Sequence, residues 1–124
     1  MATRSYIGVQ EDNGISAVYC HYDGYPEFVG KGLLNYTTLS DVQELISYGN
    51  RSSLTVPFYK DRGEQGCEPA IHRLPNDFID AADDCDAEYY YLFRDGIWYM
   101  GTLYDKGAHY RTFTPLTDII GELQ

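Results

Sequence analysis

Thiol, imidazole and carboxylate come closest together in the stretch Tyr19-Cys20-His21-Tyr22-Asp23-Gly24-Tyr25-Pro26, which also carries three phenols in its eight residues. Cys67, His72 and Cys85 follow farther along. These side chains are zinc ligands and nucleophile–base partners, so spacing decides what they can do. There is no Cys-x-x-Cys and no His-x-x-x-His, and adjacent Cys20 and His21 on one strand point to opposite faces, so no metal centre is expected. Cys67 with His72 would supply the thiol and base of a small hydrolase, but no surrounding signature accompanies them. No catalytic residue and no cofactor is assigned.

The second concentration of chemistry is electrostatic. Between Arg73 and Arg94 there is no Lys or Arg, whereas Asp77, Asp80, Asp83, Asp84, Asp86 and Glu88 supply six carboxylates. The block lacks the Asp-x-Asp-x-Asp-Gly order that wraps calcium. On a helix it forms a solvated face, and it can also offer carboxylates where a nucleic acid offers phosphates, competing for Arg and Lys of a basic protein. The net charge of −10, from 19 Asp and Glu against 9 Lys and Arg, fits a basic partner and argues against direct nucleic-acid binding. The same charge also keeps a small protein apart in solution. Thirteen tyrosines exceed what packing requires, and a phenol combines a rigid apolar face with a polar tip suited to interfaces.

A third set of residues points to a nucleotide. Arg51, Lys60, Arg62 and Arg73 fall in one irregular region, and Tyr22, Tyr25 and Tyr59 are available to stack on bases. In that arrangement Arg62 or Arg73 would hold phosphate, and Tyr22 or Tyr25 the base. No Walker or GxGxxG pattern accompanies them.

The elements that must position these groups follow from periodicity. At 124 residues the chain fits one domain, residues 1–124. Residues 5–10 and 15–21 alternate around Asn13-Gly14, and residues 88–93 and 97–103 flank Asp95-Gly96, so two β-hairpins are expected. Between them, Pro26 opens a helix with Val29, Leu33 and Tyr36 on one stripe. Ser40 and Gln43 predict a capping box for a second helix with Val42, Leu45 and Ile46 inside. Residues 50–75 read as a long loop, and Asn76 or Asp77 caps a short helix ending at Cys85. An edge strand over 108–113 precedes a last helix carrying Leu116, Ile119, Ile120 and Leu123. The expected fold is α+β: an antiparallel sheet of four or five strands built from the two hairpins, covered on one face by the two central helices and the C-terminal helix. Three cysteines leave an odd thiol, which fits a reducing compartment, and no window approaches the roughly 18 apolar residues of a membrane span. A cytoplasmic protein without membrane contact is expected, and a homo-oligomer is compatible with it.

The core stretch, followed by Val29-Gly30-Lys31 and Leu33-Leu34, resembles a family of small phage and prophage proteins with a Tyr-Cys-His-x-Asp-Gly-Tyr-Pro motif. Thr3-Arg4-Ser5, Asp61-Arg62-Gly63-Glu64 and the aromatic hairpin between Tyr89 and Tyr99 extend the resemblance over most of the chain. The resemblance implies a phage context and no catalytic residues. By analogy with other small acidic phage proteins, it implies a non-enzymatic inhibitor of host defence, of the anti-CRISPR or anti-restriction type, acting in the host cytoplasm on a basic effector protein. The alternatives are a sponge for a cyclic or ADP-ribose-type signalling nucleotide, and a small Cys/His hydrolase.

Overall fold

The computed structural model describes residues 3–54, 56–57, 70–104 and 106–122. The first hairpin pairs β1 (Ser5–Glu11) with β2 (Gly14–Cys20), and the second pairs β6 (Tyr89–Arg94) with β7 (Ile97–Thr102). They join side by side through β1 and β6, which run parallel. Both strands are apolar on two faces, the pattern of a strand covered from above and below, and Tyr90, Tyr91, Leu92 and Phe93 are all buried.

The sheet is therefore mixed and not the antiparallel sheet of four or five strands expected from the hairpins. Among the described residues it has eight strands, in the order β4-β3-β2-β1-β6-β7-β8, with β5 also paired to β2. The additional strands are short: β3 (Arg51–Ser53), β4 (Val56–Pro57), β5 (Ala70–His72) and β8 (Thr114–Pro115). Three of them come from the region read as a long loop, whose ends add to the sheet through β2. The edge strand expected over 108–113 reduces to β8 and a single bridge between Thr102 and Tyr110.

Both faces are covered. Ile7, Val9, Val18, Cys20, Tyr91, Phe93 and Trp98 face a π-helical turn (Pro26–Gly30) that runs into α1 (Lys31–Leu33), together with α2 (Leu39–Ser47) and α4 (Leu116–Glu122). On the opposite face Tyr6, Ile15, Ala17, Tyr90 and Leu92 meet Phe78, Ile79 and Ala82 of α3 (Pro75–Asp84). The acidic helix thus closes a second layer of core, which the expected one-sided cover did not include. Gly8 makes room for it: a Cβ there would lie 2.6 Å from Phe78 Cε1.

Local signals shift by small amounts. The first helix stops at Leu33. Thr38 caps α2, its Oγ1 accepting from the Asp41 amide at 3.1 Å, and Gln43 turns to Glu11 instead of closing a capping box with Ser40. Leu123 lies outside the described residues.

The core stretch is a structural junction. Cys20 is fully buried, and Tyr19 and His21 are half-buried. Gly24 donates its amide to Thr3 O at 2.8 Å and accepts the Tyr91 hydroxyl at 2.7 Å. The left-handed residue of the turn is Asp23, with φ 59°. Gly24 is required for closeness instead, since a Cβ would meet Ser5 Cβ at 2.7 Å and Thr3 O at 2.8 Å. Asp23 lends the π-helical turn its backbone carbonyl, which accepts from Val29 N at 3.2 Å, and no side chain caps that turn. Asp tolerates this region better than Ala, so Asp23→Ala should cost about 1 kcal/mol and Asp23→Gly should match or exceed the parent in urea unfolding. Equal losses in both variants would mean that the carboxylate, and not the dihedral, matters.

Candidate functional site

Pro75 opens α3 at a position where its missing N–H is harmless, and the Asp77 carboxylate accepts from the Leu74 amide at 3.2 Å. Phe78, Ile79 and Ala82 form the buried stripe, leaving Asp80, Asp83 and Asp84 on the solvent side. The helix ends in a Schellman motif: Ala87 N donates to Ala82 O at 2.9 Å and Asp86 N to Asp83 O at 3.0 Å, with Asp86 at φ 61° in the place usually held by glycine.

The six carboxylates therefore divide by role. Asp77 caps and Asp86 ends the helix, both with exposed side chains, while half-buried Glu88 immediately precedes β6 and donates its amide to Arg4 O at 2.9 Å. Asp80 and Asp83 share one cation. Arg111 Nη2 lies 2.5 Å from Asp80 Oδ1, and Nη1 lies 3.8 Å from Asp83 Oδ2. The Asp80 hydrogen bond holds the Arg111 guanidinium protonated even more firmly than usual. Asp84 has no ion pair among the described residues.

Among the described residues of the nucleotide alternative, Arg73 is not brought to Tyr22 and Tyr25. Arg73 follows β5, where His72 pairs with Ile15 near the start of β2, whereas Tyr22 and Tyr25 follow the far end of that strand. Seven strand residues separate the two ends by roughly 20 Å. Arg51 is 2% exposed, with its guanidinium given to backbone carbonyls. Arg62, Lys60, Tyr59 and Cys67 lie outside the described residues.

A pairing that spacing did not reveal surrounds a cavity of about 360 Å³ lined by Tyr6, Tyr19, Asn50, Ala81 and Cys85. Tyr6 and Tyr19 are cross-strand partners, and each phenol meets an imidazole at 2.6 Å: Tyr6 with His72 Nε2, Tyr19 with His21 Nδ1. Burial pushes the Tyr6 phenol and the Cys85 thiol up and the His72 imidazole down, so all three favour their neutral forms. Cys85 donates to Ala82 O at 3.3 Å, and burial pushes Cys20 up to about 11. Neither thiol is an activated nucleophile. The signal for the Tyr6–Tyr19 pair was the hairpin register, which depends on a loop at Asp12 and Asn13 that pairs Glu11 with Gly14.

Among the described residues no group of three or more His, Cys, Asp or Glu side chains is placed to hold a metal ion. No helix among them is long and apolar enough to cross a membrane. Comparison with protein-family models, with curated proteins and with solved structures gives no match, so function rests on this geometry.

Proposed function

We propose that this chain works by binding, as a phage-encoded, non-enzymatic inhibitor that offers the solvent face of α3 to the arginines and lysines of a basic host defence effector. The phage context rests on the resemblance of the core stretch. The binding mode is supported by one observation: the chain's own Arg111 lies across Asp80 and Asp83, the contact that a partner's arginine would make. From Asp77 to Asp84 the helix rises roughly 10 Å at about 1.5 Å per residue. Four carboxylates over that length give about one charge per 3 Å, near the density of about one per 3.4 Å along a nucleic-acid strand.

The test replaces Asp80, Asp83, Asp84 and Asp86 with Asn and follows DNA cleavage by CRISPR and restriction effectors. Inhibition should weaken at least about tenfold at an unchanged fold, because exposed carboxylates add little to stability. It should also weaken steeply with salt. Arg111→Gln leaves Asp80 and Asp83 uncompensated and should strengthen inhibition. A four-Asn variant as potent as the parent would end the proposal.

A further inference from the structure

Four aromatic side chains gather where the core stretch enters its π-helical turn. Strand alternation puts Tyr89 on the sheet face of Tyr91 and Phe93, opposite α3. Tyr25 and Phe28 have ring centroids 6.3 Å apart, and Tyr89 and Tyr104 lie 5.4 Å apart, edge to face, with their hydroxyls 2.8 Å apart. Glu27 stands between Tyr25 and Phe28 in sequence. Tyr91, two residues along from Tyr89 on the same sheet face, donates its hydroxyl to Gly24 O at 2.7 Å, which sets the start of β6 beside Tyr25 and the turn that carries Glu27. Burial and the Tyr104 hydrogen bond raise the Tyr89 phenol's pKa, and the field of the Glu27 and Glu88 carboxylates acts in the same direction.

This surface is open. Phe28 is 51% exposed and Tyr104 60% exposed. Among the described residues neither Glu27 nor Glu88 forms a salt bridge. Exposed aromatic faces next to unpaired carboxylates complement a cation that is itself flat and weakly hydrated, which describes guanidinium better than ammonium. The chain already uses this contact internally, with Arg94 Cζ 4.7 Å over the Tyr99 ring and 5.6 Å over Phe113. A second copy of the chain is a poor occupant, because each copy carries a net charge of −10.

We infer that Tyr25, Phe28, Tyr89 and Tyr104, with Glu27 among them, form a second docking surface that receives arginine side chains of a basic protein partner. The inference rests on the reading of this chain as a binder of basic proteins and adds which cation it prefers, and where.

Titrating nona-arginine and nona-lysine peptides into the full chain tests it. The parent should prefer nona-arginine, and Phe28→Ala with Tyr104→Ala should lower nona-arginine affinity about fivefold to tenfold while leaving nona-lysine within about twofold. Glu27→Gln should weaken both peptides. The four-Asn α3 variant should weaken both as well but keep the preference for arginine. If that variant bound both peptides as the parent does, the α3 reading would fall and the aromatic surface would stand. If the Phe28/Tyr104 variant, shown folded by its melting temperature, bound nona-arginine like the parent, the inference would be overturned. A parent that sediments as a dimer, with a monomeric Phe28/Tyr104 variant, would assign the surface to a second copy and overturn it too.

Discussion

Above pH 10 the fold should lose stability at about 4 kcal/mol per pH unit, because three buried phenols resist ionisation. Tyr6, Tyr90 and Tyr91 are 6%, 0% and 0% exposed, and burial pushes each well above the ordinary value of 10.0. In the unfolded chain they ionise near 10, so between 10 and the folded-state values the native protein binds more protons than the unfolded one. The phenols' contribution is thus complete below pH 10 and is lost as the pH climbs from there. Cys20, ordinarily near 9.0 and pushed up to about 11, adds a smaller loss that begins a unit earlier. A domain of ordinary stability, about 5–15 kcal/mol, should unfold within a few pH units. Urea midpoints from pH 9 to 12, read with tyrosinate absorbance, check this: the buried phenols should ionise only as structure is lost. Tyr6→Phe should reduce the slope by about a third. Ionisation of all thirteen tyrosines near pH 10 in a chain that keeps its fold would refute it.

Arg51→Ala is expected to cost about 3 kcal/mol or more in urea unfolding, by leaving buried carbonyls unpaired and opening a cavity. The Arg51 guanidinium donates to Leu45 O at 3.2 Å in the last part of α2 and to Leu54 O beyond β3. It joins a helix end, where a cation is favoured, to the strand that follows. Burial lowers the Arg51 pKa, opposed by the fields of Cys20 and two tyrosines, so desolvation works against the clamp and the hydrogen bonds must offset it. Arg51→Lys should lose about 1–2 kcal/mol, since a single ammonium lacks the fork that reaches both carbonyls. Partner binding by these variants should follow their stability alone, as expected of a residue that is 2% exposed. A loss below about 1 kcal/mol for Arg51→Ala would remove the clamp from the account.

The sequence by itself determined what depends on neighbours along the chain. Both hairpins, the apolar stripes of α2 and α4 and the stop of α3 near Cys85 are written in period, turn residues and caps, and those signals act within a few residues. The turn at Asp95-Gly96 shows why: both residues adopt positive φ, 53° and 82°, as its sequence predicts. The six acids were legible for the same reason, since charge density and helical period are both local.

What only the tertiary structure decided involves pairs distant in sequence. Whether two hairpins meet antiparallel or parallel depends on which edges bury more apolar surface, and β1 and β6 are the strands apolar on both faces. The pairing of Tyr6 with Tyr19, and so the cavity that both line, hangs on a loop one residue earlier than Asn13-Gly14. Arg51 reads in sequence as one more cation in a basic loop, and only the approach of α2 turns it inward. Arg111 meets Asp80 and Asp83 because α3 lies on the sheet face opposite the other helices, and the surface around Glu27 exists because the π-helical turn and the start of β6 reach the same end of the sheet. Such contacts between distant segments close only when the whole core forms, and no local pattern encodes them.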